Sequence, residues 1–185
     1  MMIRLDRNIF LFLNSLHTPF LDNVMWTLSL RMVWMPLYLL IIYLLALRYK
    51  RNIWIILLFA FLMIVITDQV TVMMKNFFGR LRPCNEPLLQ GLVHTVKNPG
   101  VGMYGFVSGH AANSFGLATF TAPLLRRKWF TWSIFVWAAL VSYSRIYLGV
   151  HYPGDVIGGA LLGMVAGAGL ALAATETDKR VAVWN

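Results

Sequence analysis

Long apolar segments constrain the fold of this chain more than any other feature of its sequence. Five of them approach or exceed the roughly 20 residues that a helix needs to cross a bilayer, and they cover 32–47, 53–74, 106–125, 129–148 and 156–174. Hydrophobic residues make up 59% of the 185 and charged residues only 12%, whereas a soluble domain carries about 25% charged residues. The composition excludes a soluble globular enzyme, a disordered chain and a fibrous repeat. It predicts an all-α, polytopic membrane helix bundle with five clear transmembrane helices, forming a single domain over residues 1–185.

The N-terminal segment 9–30 is ambiguous. Its apolar patches are interrupted by polar residues and a proline, among them Asn14, His17, Pro19 and Asp22. The segment is either a sixth span or an amphipathic helix that lies in the membrane interface.

Basic residues cluster in three connections between the apolar segments. The clusters are Arg48, Lys50 and Arg51, then Arg126, Arg127 and Lys128, then Lys179 and Arg180. If the five helices alternate in direction, all three clusters lie on one side, which the positive-inside rule identifies as cytoplasmic. The net charge of +9 therefore reflects membrane topology, and no nucleic-acid partner is expected. The opposite, outer face receives the long loop 75–105 and the short stretch after residue 148.

Polar residues at that outer face form three short stretches. In the first, Lys75 and Arg82 follow the end of the second predicted helix. In the second, Ser108, Gly109 and His110 begin the third predicted helix, where free backbone N–H groups and the helix dipole suit a phosphate. A glycine lets a ligand approach the backbone closely, while the serine suits a helix cap equally well.

The third stretch runs from Ser144 and Arg145 to His151 and Asp155. His151 and Asp155 are four residues apart, so they share one face if this stretch is helical. A carboxylate in that position can bind one ring nitrogen of the histidine and leave the other free to attack, as in activated nucleophiles.

The three stretches together predict a phosphate-processing site. Three cations, Lys75, Arg82 and Arg145, match the oxygens of a phosphoryl group and the charge that develops on them. A histidine with a carboxylate partner suits a nucleophile, and a second histidine suits a general acid. Two histidines and an aspartate are also a zinc-binding set, but the three nearby cations oppose a metal ion.

These residues resemble the motifs of the type 2 phosphatidic acid phosphatase superfamily, which also includes vanadium haloperoxidases and glucose-6-phosphatase. The family pattern Lys-x6-Arg-Pro is complete from Lys75 to Pro83, and Ser-Arg-x5-His-x3-Asp is complete from Ser144 to Asp155. The Pro-Ser-Gly-His pattern is altered, because Val107 stands in place of the proline. Since the proline constrains the backbone and supplies no chemical group, we expect activity to survive.

The resemblance implies a mechanism without a metal or other cofactor. His151 would attack phosphorus to form a phosphohistidine, with Asp155 holding the ring. His110 would protonate the leaving oxygen and later help water hydrolyse the intermediate. The phosphate would be bound by Lys75, Arg82, Arg145, Ser108 and Gly109.

The resemblance also implies a membrane lipid phosphate as substrate. Small bacterial members act on undecaprenyl diphosphate, phosphatidylglycerophosphate, phosphatidic acid or lipid A, and we favour undecaprenyl diphosphate. The expected location is the bacterial inner membrane, with the active site on the periplasmic or extracellular face. Two alternatives are a phosphotransferase with an acceptor other than water and a non-enzymatic lipid transporter, which would not need the His151–Asp155 pair.

Two further charges fall outside the motif positions. Arg80 is predicted to be a surface charge. Asp68, inside the second predicted helix, is predicted to pair with a buried polar group in a structural role.

Overall fold

The computed structural model describes residues 2–97 and 102–183. Its α-helices are α1 (Met2–Ser15), α2 (Pro19–Ser29), α3 (Met35–Tyr49), α4 (Ile53–Phe78), α5 (Gly109–Leu125), α6 (Lys128–Tyr147) and α7 (Pro153–Val183). Short 3₁₀ turns occupy Arg31–Trp34, Lys50–Asn52, Pro83–Asn85 and Pro87–Leu89. No β-strand occurs within the described ranges, so the all-α prediction is confirmed there.

The ambiguous N-terminal segment folds as two short helices rather than one. Thr18 separates them, and its hydroxyl accepts a 3.2 Å hydrogen bond from the N–H of Leu21 at the start of α2. Pro19 suits this first turn because it has no N–H to satisfy there. Helices of 14 and 11 residues are about 21 and 17 Å long, less than the roughly 30 Å of a bilayer core. Neither helix alone can span, which favours the interfacial alternative.

Helices α3 to α7 correspond to the five predicted spans, with ends shifted by at most four residues except at the C-terminus of α7, which continues nine residues beyond its predicted span. By length and hydropathy, two segments within the described residues qualify as spans, Arg31–Phe78, which contains α3 and α4, and Pro153–Val181. Helix α5 has 17 residues, of which the buried ones include several alanines, a serine and a glycine. Because α5 packs inside the bundle, its sequence favours small residues over strongly apolar ones. The count of five spans therefore stays a prediction.

Helix α7 packs directly against α5 through a stripe of glycines. A Cβ atom at Gly159, Gly163 or Gly167 would overlap carbonyl oxygens of α5 or of the residue preceding it, such as that of Ala112 opposite Gly163. The sequence-based prediction of a small-residue packing stripe is confirmed. This close approach brings the N-terminus of α7 beside the N-terminus of α5, where two of the polar stretches begin.

The two ends of the bundle differ in chemistry. The C-terminal ends of α4 and α6 meet the N-terminal ends of α5 and α7 at one end, which carries all three polar stretches. The three basic clusters lie at the other end, where the amide of Asn52 donates a 2.8 Å hydrogen bond to Asp178 of α7. The polar stretches and the basic clusters are thus separated by the length of the bundle.

Candidate active site

A polar cavity of about 370 Å³ opens at the end of the bundle that carries the polar stretches. Six of the predicted site residues line it, namely Lys75, Arg82, Gly109, His110, Arg145 and His151. Arg31, Asp68, Thr71 and Val72 complete the lining. The structure therefore brings together predicted residues of α4, α5 and α6 and of two connections between helices, although Lys75 and His151 are 76 positions apart in the chain.

His151 lies in the connection between α6 and α7 and is only 2% exposed. Its Nε2 is 3.0 Å from the guanidinium of Arg82, and its Nδ1 is 3.5 Å from Oδ2 of Asp155. The stretch from His151 to Asp155 is not one helix, because α7 begins at Pro153, after the histidine, so a shared helical face is not what pairs the two residues. The first turn of α7 instead carries Asp155 back toward His151, and the same carboxylate oxygen accepts a 3.0 Å hydrogen bond from the N–H of Tyr152.

The surroundings of His151 keep its imidazole neutral. Burial, followed by the charges of Arg82, Arg145 and Lys75, holds the pKa of His151 well below its ordinary value of 6.5. Desolvation and nearby cations both disfavour the protonated ring. A neutral imidazole retains a lone pair on one nitrogen, which is the form a nucleophile needs.

Three cations of the cavity, Lys75, Arg82 and Arg145, have no carboxylate partner in the part of the chain that the structure describes. Arg82 and Arg145 are each 7% exposed, and the Nε atom of each lacks a hydrogen-bond partner in the described chain. Lys75 Nζ would lie 3.8 Å from a Cβ placed at Gly109, so the ammonium lies over the start of α5. Among the described residues, none of these three cations forms an ion pair within 4.0 Å. Since buried charges need compensation, the cavity is suited to an anion.

Ser108 and His110 differ in their relation to the cavity. Ser108 is fully buried, and its Oγ accepts from the N–H of Ala111 at 3.5 Å. Ser108 therefore caps the helix and lies outside the described cavity lining, and its contact with phosphate stays a prediction. His110 does line the cavity, and its Nε2 is 3.2 Å from the carbonyl oxygen of Ser29.

Arg80 is not the isolated surface charge that the sequence predicted. It donates to Oδ1 of Asp155 at 2.8 Å and to Asp6 of α1 at 2.6 Å, and its guanidinium lies 4.2 Å from the ring centre of Tyr152. Asp6 also accepts a 2.8 Å hydrogen bond from the N–H of Gly154. A series of polar contacts thus connects Asp6 of α1 through Arg80 and Asp155 to His151. No local spacing in the sequence could have indicated this connection.

Gly105, which the sequence analysis did not single out, lies against the same carboxylate. A Cβ at this position would be 2.9 Å from Oδ2 of Asp155 and 3.3 Å from Cγ of Arg82. Only a residue without a side chain lets the loop pass this close to both groups.

A sequence model of the PAP2 superfamily matches residues 53–177. The chain belongs to the PAP2 superfamily. The matched region contains α4 to α6 and most of α7, and with them the cavity residues other than Arg31. PAP2 phosphatases are hydrolases that act on phosphate esters, so the resemblance drawn from the motifs is confirmed and the chain is a phosphatase.

Individual PAP2 proteins match over most of the chain. A lipid A 4'-phosphatase from Bacteroides thetaiotaomicron is 40% identical over 169 residues, covering 88% of this chain and 74% of that protein. An undecaprenyl-diphosphatase from Sulfolobus acidocaldarius is 36% identical over 131 residues, covering 71% of this chain and 58% of that protein. The crystal structure of LpxE from Aquifex aeolicus superposes with a TM-score of 0.69 at 28% identity, covering 90% of this chain and 94% of that one. Together with the apolar helices, these membrane-type relatives identify an integral membrane protein.

Proposed function

We propose that this PAP2 phosphatase removes a phosphate from lipid A through a phosphohistidine intermediate on His151. The observation that carries the proposal is the position of His151 Nε2, which lies 3.0 Å from Arg82 in a cavity lined by four cationic side chains, those of Arg31, Lys75, Arg82 and Arg145. Lipid A replaces undecaprenyl diphosphate as the favoured substrate. The similarity to the B. thetaiotaomicron lipid A 4'-phosphatase is higher, and covers more of both chains, than the similarity to the undecaprenyl-diphosphatase.

The first chemical step forms the intermediate. The lone pair of His151 Nε2 attacks phosphorus, and the bond from phosphorus to the lipid oxygen breaks. A protonated His110 gives its proton to that leaving oxygen. Lys75, Arg82 and Arg145 balance the charge on the phosphoryl oxygens, which is the main contribution a protein makes to phosphoryl transfer.

The second step returns the enzyme to its starting state. His110, now neutral, accepts a proton from a water molecule that attacks the phosphohistidine. The bond between phosphorus and Nε2 breaks, inorganic phosphate leaves, and His151 is again neutral. Asp155 stabilises the ring while it carries positive charge in the intermediate, which is the role of the carboxylate in comparable triads.

A second, apolar cavity supports a lipid as the substrate. This groove has a volume of about 410 Å³ and is lined mainly by residues of α3 to α6, including Tyr38, Ile41, Leu45, Phe61, Leu117 and Trp137. Arg31, Asp68 and His110 line both the groove and the polar cavity, so the two adjoin. A phosphate in the polar cavity can thus be attached to a hydrocarbon chain in the groove.

The proposed location is the inner membrane of a bacterium, with the cavity on the outer face. The three basic clusters lie at the opposite end of the bundle, and the positive-inside rule assigns that end to the cytoplasm. An accessible-cysteine assay on the single Cys84 and on a cysteine introduced at Arg127 would test this orientation in spheroplasts.

The experiment that tests the function measures phosphate release by the purified protein in detergent with EDTA. Lipid A, undecaprenyl diphosphate, phosphatidylglycerophosphate and phosphatidic acid are offered in parallel, with His151→Ala as the control. We expect release from lipid A to be fastest, to survive EDTA and to vanish in the variant. Faster release from undecaprenyl diphosphate would contradict the substrate, loss with EDTA would contradict the mechanism, and no release from any lipid would favour a transporter.

A further inference from the structure

Asp68 lies where the polar cavity meets the apolar groove. On α4, Asp68, Thr71, Val72 and Lys75 recur at the spacing of one helical face, and all four line the polar cavity. Asp68 is the member of this face that also lines the groove. A substrate with its phosphate near Lys75 and its hydrocarbon chain in the groove must therefore pass Asp68.

The carboxylate of Asp68 is held from one side only. Its Oδ1 accepts a 2.8 Å hydrogen bond from the side-chain amide of Asn113 on α5. The amide oxygen of Asn113 in turn accepts a 2.5 Å hydrogen bond from Thr67. Asp68 thus pairs with a polar side chain, as predicted, although Asn113 is half-buried rather than buried. This pairing fixes the orientation of the carboxylate.

The other oxygen of Asp68 has no hydrogen-bond partner in the described part of the chain, and no cation there lies within ion-pairing distance of the carboxylate. A carboxylate inside a membrane helix bundle is costly and usually has a functional partner. An ionised carboxylate only accepts hydrogen bonds, and it repels phosphate. Asp68 is therefore suited to a hydrogen-bond donor that belongs to the substrate but not to its phosphate group.

We propose that Oδ2 of Asp68 accepts a hydrogen bond from a hydroxyl or amide N–H of a phosphorylated glycolipid headgroup. This inference rests on the proposed function and specifies how the same site recognises its substrate class. The sugar lies at the junction, its phosphate reaches the cations, and its acyl chains enter the groove. Asp68 is a specificity residue, because polyprenyl diphosphates and phosphatidic acid carry no such donor beside their phosphate groups.

The test compares two classes of substrate in four proteins. Wild type, Asp68→Ala, Asp68→Asn and Gln69→Ala are assayed for phosphate release from lipid A and from two donor-free lipids, phosphatidic acid and undecaprenyl diphosphate. Gln69 is the matched control, because it follows Asp68 on α4 but is exposed away from both cavities. The readout is kcat/KM for lipid A divided by kcat/KM for each donor-free lipid. Melting temperature in detergent shows that each variant is folded.

We expect this ratio to fall at least about tenfold in Asp68→Ala, since hydrogen bonds to charged groups are among the stronger ones. The ratio should also fall in Asp68→Asn, because its amide oxygen stays with the Asn113 donor and its NH₂ group replaces the accepting Oδ2. It should not change in Gln69→Ala. A folded Asp68→Ala protein with an unchanged ratio would overturn the inference and leave the proposed function intact. If wild type releases phosphate from a donor-free lipid but not from lipid A, the substrate proposed for the enzyme fails, and the role of Asp68 fails with it.

Discussion

Arg80 donates a 2.8 Å hydrogen bond to Oδ1 of Asp155, while Oδ2 of the same carboxylate faces His151 at 3.5 Å. The carboxylate is thus fixed from both sides. Arg80 lines neither cavity, so it acts on the proposed nucleophile only through Asp155. Asp6 on α1 holds the guanidinium from its other side at 2.6 Å, which connects the N-terminal helix to the site.

Replacing Arg80 should therefore lower turnover without weakening substrate binding. We expect Arg80→Gln to reduce kcat by about tenfold or more, with KM nearly unchanged, because a buried carboxylate that loses its charged partner no longer keeps its position. Steady-state phosphate release checks this. Arg126→Gln, which removes an exposed cation at the other end of the bundle, should match wild type. A rise in KM with unchanged kcat would instead place Arg80 in substrate binding.

Asp155→Asn should retain the fold but lower kcat by roughly 10²- to 10⁴-fold, as expected when a histidine loses the carboxylate that sets its tautomer. An amide NH₂ facing Nδ1 favours the proton on Nε2, which then has no lone pair for attack. Asp178→Asn removes a carboxylate that accepts a hydrogen bond from Asn52 far from the cavity, and it serves as the matched control. Equal rates in wild type and Asp155→Asn would show that Asp155 does not orient His151.

The low pKa of His151 should make stability depend on pH. The folded state holds this ring neutral, whereas in the unfolded chain its pKa is about 6.5. Below pH 6.5 the unfolded state binds a proton that the folded state does not, so stability falls as pH falls. We expect the melting temperature of wild type to drop between pH 7.5 and pH 5.5, and to drop less in His151→Gln. Identical pH dependence in the two proteins would mean that His151 is not kept neutral by its surroundings.

Local spacing in the sequence predicted the residues that line the cavity better than the residues that hold Asp155 in place. Lys75, Arg82, Arg145 and the two histidines could be found because each belongs to a short pattern beside a predicted helix end. The partnership of Arg80 with Asp6 spans 74 positions, and it depends on how α1 packs on the bundle, which no sequence pattern indicates.

The remaining differences also have physical causes. A serine that begins a helix can cap it or face a ligand, and the sequence alone did not indicate that Ser108 is fully buried and caps α5. Helix α5 is shorter than its apolar segment, because residues 106–108 form the approach to the helix rather than its first turn.

The last prediction concerns the space that Gly105 leaves for Asp155. A methyl group at this position would lie 2.9 Å from Oδ2 of the carboxylate and 3.3 Å from the side chain of Arg82, so one of the two must move. We expect Gly105→Ala to lower kcat by about tenfold or more, because small displacements of positioned groups are costly in catalysis. Gly102→Ala provides the control in the same loop, since a Cβ there would meet no atom within 4 Å. Phosphate release by the two variants makes the comparison, and equal rates would show that the loop can shift without disturbing the His151–Asp155 pair.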